Sequence, residues 1–237
     1  ILAWTSPMDL IGGIPMLAAW LSSPLIAYWI GRPIERQPLA LTDAQRWKLR
    51  ALARQTWMFF EHFVGPQDNW LPPDHFQEQP AGIIAHQTSP TNIGLYLLSA
   101  LAAYDFGYIR SQDFALRLRD TLGSMTRLER HRGHFLNWYD TRTLAPLPPP
   151  YVSTVDSGNL AGHLVAVASA FNEWAMAPAA HLQGDFDGIL DVVGLLEETL
   201  AALPDDRRQL RPLRQRLADR IAGMRRAVTT IKNEPET

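Results

Sequence analysis

Residues 88–98 read TSPTNIGLYLL, and residues 155–165 read VDSGNLAGHLV. Aligned without a gap, they place Ser89 over Asp156, Asn92 over Asn159 and Ile93 over Leu160. The offset is 67 residues, since 159 − 92 = 67. Each opens an almost wholly apolar body, IGLYLLSALAAYDF in the first case and LAGHLVAVASAF in the second. A helix that is apolar nearly all round belongs in a core. Two buried helices with similar starts form a weak internal repeat, and the segments around them decide what repeats.

A more polar helix precedes each one. Thr42 and Gln45 form a capping box, which opens a helix over 42–64 with Trp47, Leu52, Phe59, Phe60 and Phe63 among charged neighbours. Gly65-Pro66 stops it. Ser89 caps the next helix, 89–106, with Pro90 at its first position. Gly107 to Arg110 make a short turn into an amphipathic helix, 111–130, striped by Phe114, Leu118, Leu122, Met125 and Leu128. The second buried helix covers 157–175. Two further helices, Phe186 to Leu203 and Asp206 to Ile231, are separated by Pro204. No alternating strand pattern of useful length occurs.

The predicted fold is therefore all-α, built from hairpins of one outer and one inner helix. Such repeats suggest part of an (α/α)6 toroid. Only two clear hairpins and a possible third are present, so the chain is expected to hold one part of that ring. Its first residue is isoleucine, which also reads as a processed product or a piece of something longer.

Ahead of the hairpins, Leu10 to Gly31 carries no charge. As a helix it spans about 33 Å, enough for a bilayer core. Trp20, Tyr28 and Trp29 suit an interface, and Arg32 and Arg36 follow, which orients the rest toward the cytoplasm. Gly12, Gly13, Pro15 and Pro24 interrupt the run, so a kinked segment buried on the domain is the competing reading. The expected organisation is 1–31 hydrophobic or transmembrane, 32–41 linker, and 42–237 helical domain.

Composition narrows the function classes. A net charge of −2 gives no basic signal for nucleic acid. The Arg-rich stretch RRQLRPLRQR lies near Asp205, Asp206 and Asp219 and reads as a solvated helix face. Cysteine is absent, which removes disulfide and thiolate chemistry. His131 and His134 lack a carboxylate at ligand spacing, so no metal and no cofactor is expected.

The two long outer-to-inner loops, 65–90 and 131–158, should open at one end of the fold. Each carries an Asn-Trp pair followed by an acid: Asn69-Trp70 with Asp74, and Asn137-Trp138 with Asp140. Indole faces stack on the apolar face of a sugar ring, and Asp, Asn, Arg and His bind its hydroxyl rim. Candidate binding residues are Asn69, Trp70, Asp74 and His86 on the first loop. Asn137, Trp138, Tyr139, Asp140 and Arg142 join them from the second. Asn92, Asp156 and Asn159 join from the helix starts. Plain roles stay open for several: Asp156 as a helix cap, Asn92 and Asn159 in local hydrogen bonds, Trp70 and Trp138 as hinges, His163 as a core histidine.

NWLPPDHFQE, HQTSPTNIGLYLLSALAAYDFGYI, LERHRGHFLNWYDTRTLAPL and YVSTVDSGNLAGHL occur in this order. Together they resemble the middle region of the cyclic β-1,2-glucan synthases, bacterial inner-membrane proteins. SSPLIAYWIGRP resembles the span that closes that family's glycosyltransferase region. The resemblance implies a retaining transglycosylase domain that cyclises β-1,2-glucan, with β-1,2-glucan and the rest of the same polypeptide as partners. It places the catalytic glutamates downstream, so the catalytic residues of this chain are unknown and the chain alone should be inactive. A membrane-tethered structural module, or part of another α/α-toroid phosphorylase or hydrolase, are the alternatives.

Overall fold

A computed structural model describes residues 7–32, 40–176, 185–204 and 210–233. The chain divides into two compact units, Ile1–Leu41 and Thr42–Thr237. The first holds α1 (Pro7–Ile30). It runs as one helix through Pro15 and Pro24. Ser22 and Ser23 return their hydroxyls to the carbonyls of Ala19 and Trp20, so the polar side chains of its middle are satisfied within the helix. Gly13–Ile30 is long and apolar enough to cross a membrane, and none of it is buried. Residues 33–39 of the expected linker lie outside the described residues.

The second unit is helical, as the repeat predicts. It comprises α2 (Asp43–Phe63), α3 (Pro90–Asp105), α4 (Ser111–Arg127), α5 (Thr154–Met176), α6 (Asp185–Ala202) and α7 (Arg211–Asn233). The Thr42 box forms, with the Gln45 N–H donating to Thr42 Oγ1 and the Thr42 N–H to Gln45 Oε1. The strands β1 (Phe76–Gln77), β2 (Ile83–Ile84), β3 (Gln87–Thr88), β4 (Arg130–His131), β5 (His134–Phe135) and β6 (Tyr139–Asp140) are two residues each and lie in the loops.

Two clusters make the core. One joins α3, α4 and α5 through Ile93, Leu97, Met125 and Leu160, with Leu71 and Leu136 inserted from the loops. The other joins α2, α3 and α4 through Trp57, Tyr96, Ala100 and Phe114. α3 is the central helix, packed on α2, α4 and α5. Its contact with α5 is close at Gly94, where an added Cβ would lie 2.2 Å from His163 Nδ1.

The third hairpin differs from a simple continuation of the row. α6 packs on α2 and α7. Arg50 of α2 donates from Nε to both Asp191 oxygens, at 3.0 and 2.8 Å. An added Cβ at Gly194 would lie 2.3 Å from the Trp47 ring, and at Gly188 2.1 Å from the Gly107 carbonyl oxygen. Two glycines thus let α6 settle against the first hairpin, Gly194 on its outer helix and Gly188 at the end of its inner one.

Candidate functional site

The two long loops do meet at one end. β3 pairs antiparallel with β6, Gln87 opposite Asp140 and Thr88 opposite Tyr139. Thr141 N–H donates to the His86 carbonyl at 3.1 Å. Beneath this ladder, the buried Asp68 Oδ1 accepts from Thr141 Oγ1 and lies 2.7 Å from His86 Nδ1. Asp68 and Thr141 were not among the predicted residues. Only the position of Asp68, directly before Asn69-Trp70, marks it in the sequence.

Several predicted side chains turn out to hold the loops rather than face outward. Asn69 sits in the left-handed region at φ 51° and donates from Nδ2 to the carbonyls of Thr141 and Arg142, both at 2.9 Å. Its Oδ1 accepts from Arg127. Asn137 is buried, exchanging N–H to O and O to N–H bonds with Tyr151. Tyr139 is fully buried; its hydroxyl accepts the Leu136 N–H at 2.6 Å and donates to the Glu129 carbonyl at 2.7 Å. Trp70 packs with the α2–α4 cluster, under the Arg117 guanidinium. The polar atoms of Asn69, Asn137 and Tyr139 are thus engaged within the protein, and the Trp70 ring packs on the core with Arg117 over one face.

Four of the others, Asp74, Asn92, Asp156 and Asn159, meet at the starts of α3 and α5. Thr91 and Asn92 in the first turn of α3 each hold one carboxyl group. Asn92 Nδ2 donates to Asp74 Oδ1 at 3.0 Å, and Thr91 Oγ1 donates to Asp156 Oδ1 at 2.5 Å. Asn159 Nδ2 donates to Thr91 Oγ1 at 3.1 Å. Asp156 does not cap its helix. Ser153 does, its Oγ accepting the Asp156 N–H at 3.2 Å, as Ser89 Oγ accepts the Asn92 N–H at 3.2 Å. The caps are 64 residues apart (153 − 89), one turn off the 67 of the sequence repeat. By cap position, Asp156 corresponds to Asn92.

Both loop acids are held ionised. Burial pushes the Asp74 carboxyl up, but hydrogen bonds from His75, Asn92 and Gln87 outweigh it and set it below its ordinary value. Burial likewise opposes ionisation of Asp140, and the N–H groups of Thr143 and Arg142 overcome it, at 2.8 and 2.9 Å from Oδ1. Arg142 lies 3.8 Å from Asp140 Oδ2 and stays largely exposed. Trp138 is half-buried beside them. A depressed folded value means stability that is complete above about pH 4 and is lost as pH falls through the folded value. Asp140→Asn should therefore flatten part of the acid limb of stability against pH, measured by urea unfolding. An acid limb of unchanged slope would contradict this.

Chemically, the cluster offers acceptors on Asp74 and Asp156, amides on Asn92 and Asn159, and an imidazole at His75. Among the described residues no group of three or more His, Cys, Asp or Glu suits a metal ion. A carboxyl held below its ordinary value is a poor proton donor at neutral pH.

The chain is 48% identical over 225 residues, 94% of its length, to the cyclic β-(1,2)-glucan synthase NdvB of Rhizobium meliloti (strain 1021). It is similar to one part of a cyclic β-1,2-glucan synthase. The match spans 8% of that relative's own length. No family model matches the chain. Among solved structures, a protein described as a glucoamylase from Bacteroides fragilis NCTC 9343 overlaps 81% of this chain and 37% of its own, at 17% identity and a TM-score of 0.44. That overlap is too loose to argue from, and the helical fold rests on the hairpins themselves.

Proposed function

We propose that the chain is the glucan-holding front of the domain in which a cyclic β-1,2-glucan synthase closes its product by retaining transglycosylation. The hairpins would form part of an α/α toroid, and the polar cluster at the starts of α3 and α5 would bind β-1,2-linked glucose units. The observation that carries the reading is the pair Thr91 and Asn92, adjacent in one first turn, which hold Asp156 and Asp74 respectively. Hydroxyl-rich ligands need acceptors fixed in this way. Asp74, Asn92, Asp156 and Asn159 lead the set, with His86, Trp138, Asp140 and Arg142 bordering it. Binding here supports chemistry done by groups elsewhere in the polypeptide.

In the same reading, residues 10–31 cross the bacterial inner membrane, 32–41 link, and the domain from residue 42 lies in the cytoplasm. The isolated chain binds glucan without forming or opening glycosidic bonds. The test is Asp156→Ala and Asn159→Ala in the full-length synthase. Cyclic glucan yield should drop about 10-fold or more for loss of a hydrogen-bonded subsite, as an uncompensated polar contact is worth about 1.5–3 kcal/mol. Linear glucan should accumulate in its place. Unchanged cyclic yield from both variants, with folded protein, would leave the module a structural connector.

A further inference from the structure

α6 and α7 form a hairpin with one face that the fold leaves uncovered. On α6, Asp191, Gly194 and Glu198 turn toward α2, and Val193, Glu197 and Leu200 toward α7. At about 100° per residue, Ile189, Val192 and Leu196 fall on a third face, roughly opposite α2. On α7, Ile221 is the buried contact with α6. Leu213, Leu217, Met224 and Ile231 form a separate row spaced by four, seven and seven residues. They are 58%, 45%, 51% and 52% exposed. Because the helices are antiparallel, the same angular count puts the two rows on one side of the hairpin.

Charge identifies the occupant. α7 carries seven Arg or Lys residues and a single acid, Asp219. From Asp187 on, the acids of α6 are paired: Asp191 with Arg50, Glu198 with the Trp47 indole N–H, and Glu197 and Asp187 with Arg225 and Lys232 of α7, which leaves the other five cations of α7 facing one acid of their own helix. Arg216 and Arg220 lie along the edge of the apolar row and are exposed. Among the described residues, Arg216 Nε reaches only the Pro212 carbonyl of its own helix, at 3.4 Å. A second copy packed about a two-fold axis would bring these arginines onto one another. A basic helix with an exposed apolar row fits an anionic bilayer surface, where headgroups pair with Arg and the row enters the acyl boundary.

We propose that α7, with the adjoining row of α6, is a membrane-surface helix that lies on anionic phospholipid. The proposal is independent of the sugar reading. The chain has no cysteine, so a single introduced one reports cleanly. The full chain is reconstituted in phosphatidylcholine vesicles, with and without phosphatidylglycerol. It carries an environment-sensitive nitrobenzoxadiazole on Leu217→Cys, Met224→Cys or, on the opposite side, Asp219→Cys. Doxyl-lipid quenching is expected at 217 and 224 but not at 219, and only with phosphatidylglycerol. Arg216→Gln with Arg220→Gln should shift the equilibrium between inserted and free helix about 30-fold toward free. No quenching with phosphatidylglycerol would overturn the proposal, as would equal quenching in its absence. So would shielding that follows the protein-to-lipid ratio instead of lipid charge, the signature of a second copy.

Discussion

Replacing Asp68 with alanine is expected to destabilise the Thr42–Thr237 unit by about 3 kcal/mol, because the Thr141 hydroxyl loses its acceptor out of reach of water and the half-buried His86 loses its partner. Asp68 is 7% exposed and touches Thr141 Oγ1 and His86 Nδ1, one in each loop. Thr141 is itself fully buried, so its hydroxyl would have no substitute. For a unit of this size the loss corresponds to a fall in Tm of roughly 6–12 °C. Asp68→Asn keeps one acceptor and should cost less. The effect should reach the candidate site as well, because Asp68 couples the loop of Asp74 to the loop of Asp140. Circular dichroism melts of the full chain in detergent decide the matter. A change under about 2 °C for Asp68→Ala would mean that β3–β6 pairing holds the loops without it.

How far the sequence revealed this arrangement depends on the kind of signal. Apolar bodies, caps and breakers are local, and α2 to α4 appear where Thr42, Ser89, Gly107 and Pro66 place them. The meeting of the two loops was also legible, because outer-to-inner connections of one handed row must open at one end. Which side chains face outward was not. Asn-Trp-acid reads alike whether the asparagine binds a ligand or ties a loop, and the choice depends on partners outside the motif, 72 residues away for Asn69 and 14 for Asn137. Asn69 finds the Thr141 carbonyl and Tyr139 finds Glu129, and neither pairing leaves a periodic trace. The cap of α5 was misplaced for a related reason: Asp156 and Ser153 are both good caps, and Thr91 on a neighbouring helix takes the aspartate. The seat of α6 against α2 depends on Gly188 and Gly194, whose need for a close approach is invisible until the partner backbone or ring is known.

That seat gives the other large effect. Asp191→Leu is expected to cost about 3–4 kcal/mol, since it strands the Arg50 guanidinium and removes an acceptor from Tyr108. Asp191 is 4% exposed. Tyr108 OH lies 3.1 Å from Asp191 Oδ2, and Arg50 Nη2 also donates to the Phe106 carbonyl at 3.1 Å. Burial and the Asp191 charge both push the Tyr108 hydroxyl well above its ordinary value, so it stays a donor at any working pH. The pair is a latch more than a source of net stability, because desolvating two charges offsets most of their attraction. The double variant Arg50→Met with Asp191→Leu separates these roles. It should recover to within about 1 kcal/mol of the parent, leaving a coupling of roughly 2–3 kcal/mol in the cycle. Hydrogen exchange supplies the spatial readout. In Asp191→Leu, amides of α6 and α7 should exchange faster while those of α3 hold, because the hairpin lifts from α2 before the core opens. Equal acceleration in α3 would instead make the third hairpin part of one cooperative core, with Arg50 and Asp191 as ordinary members of it.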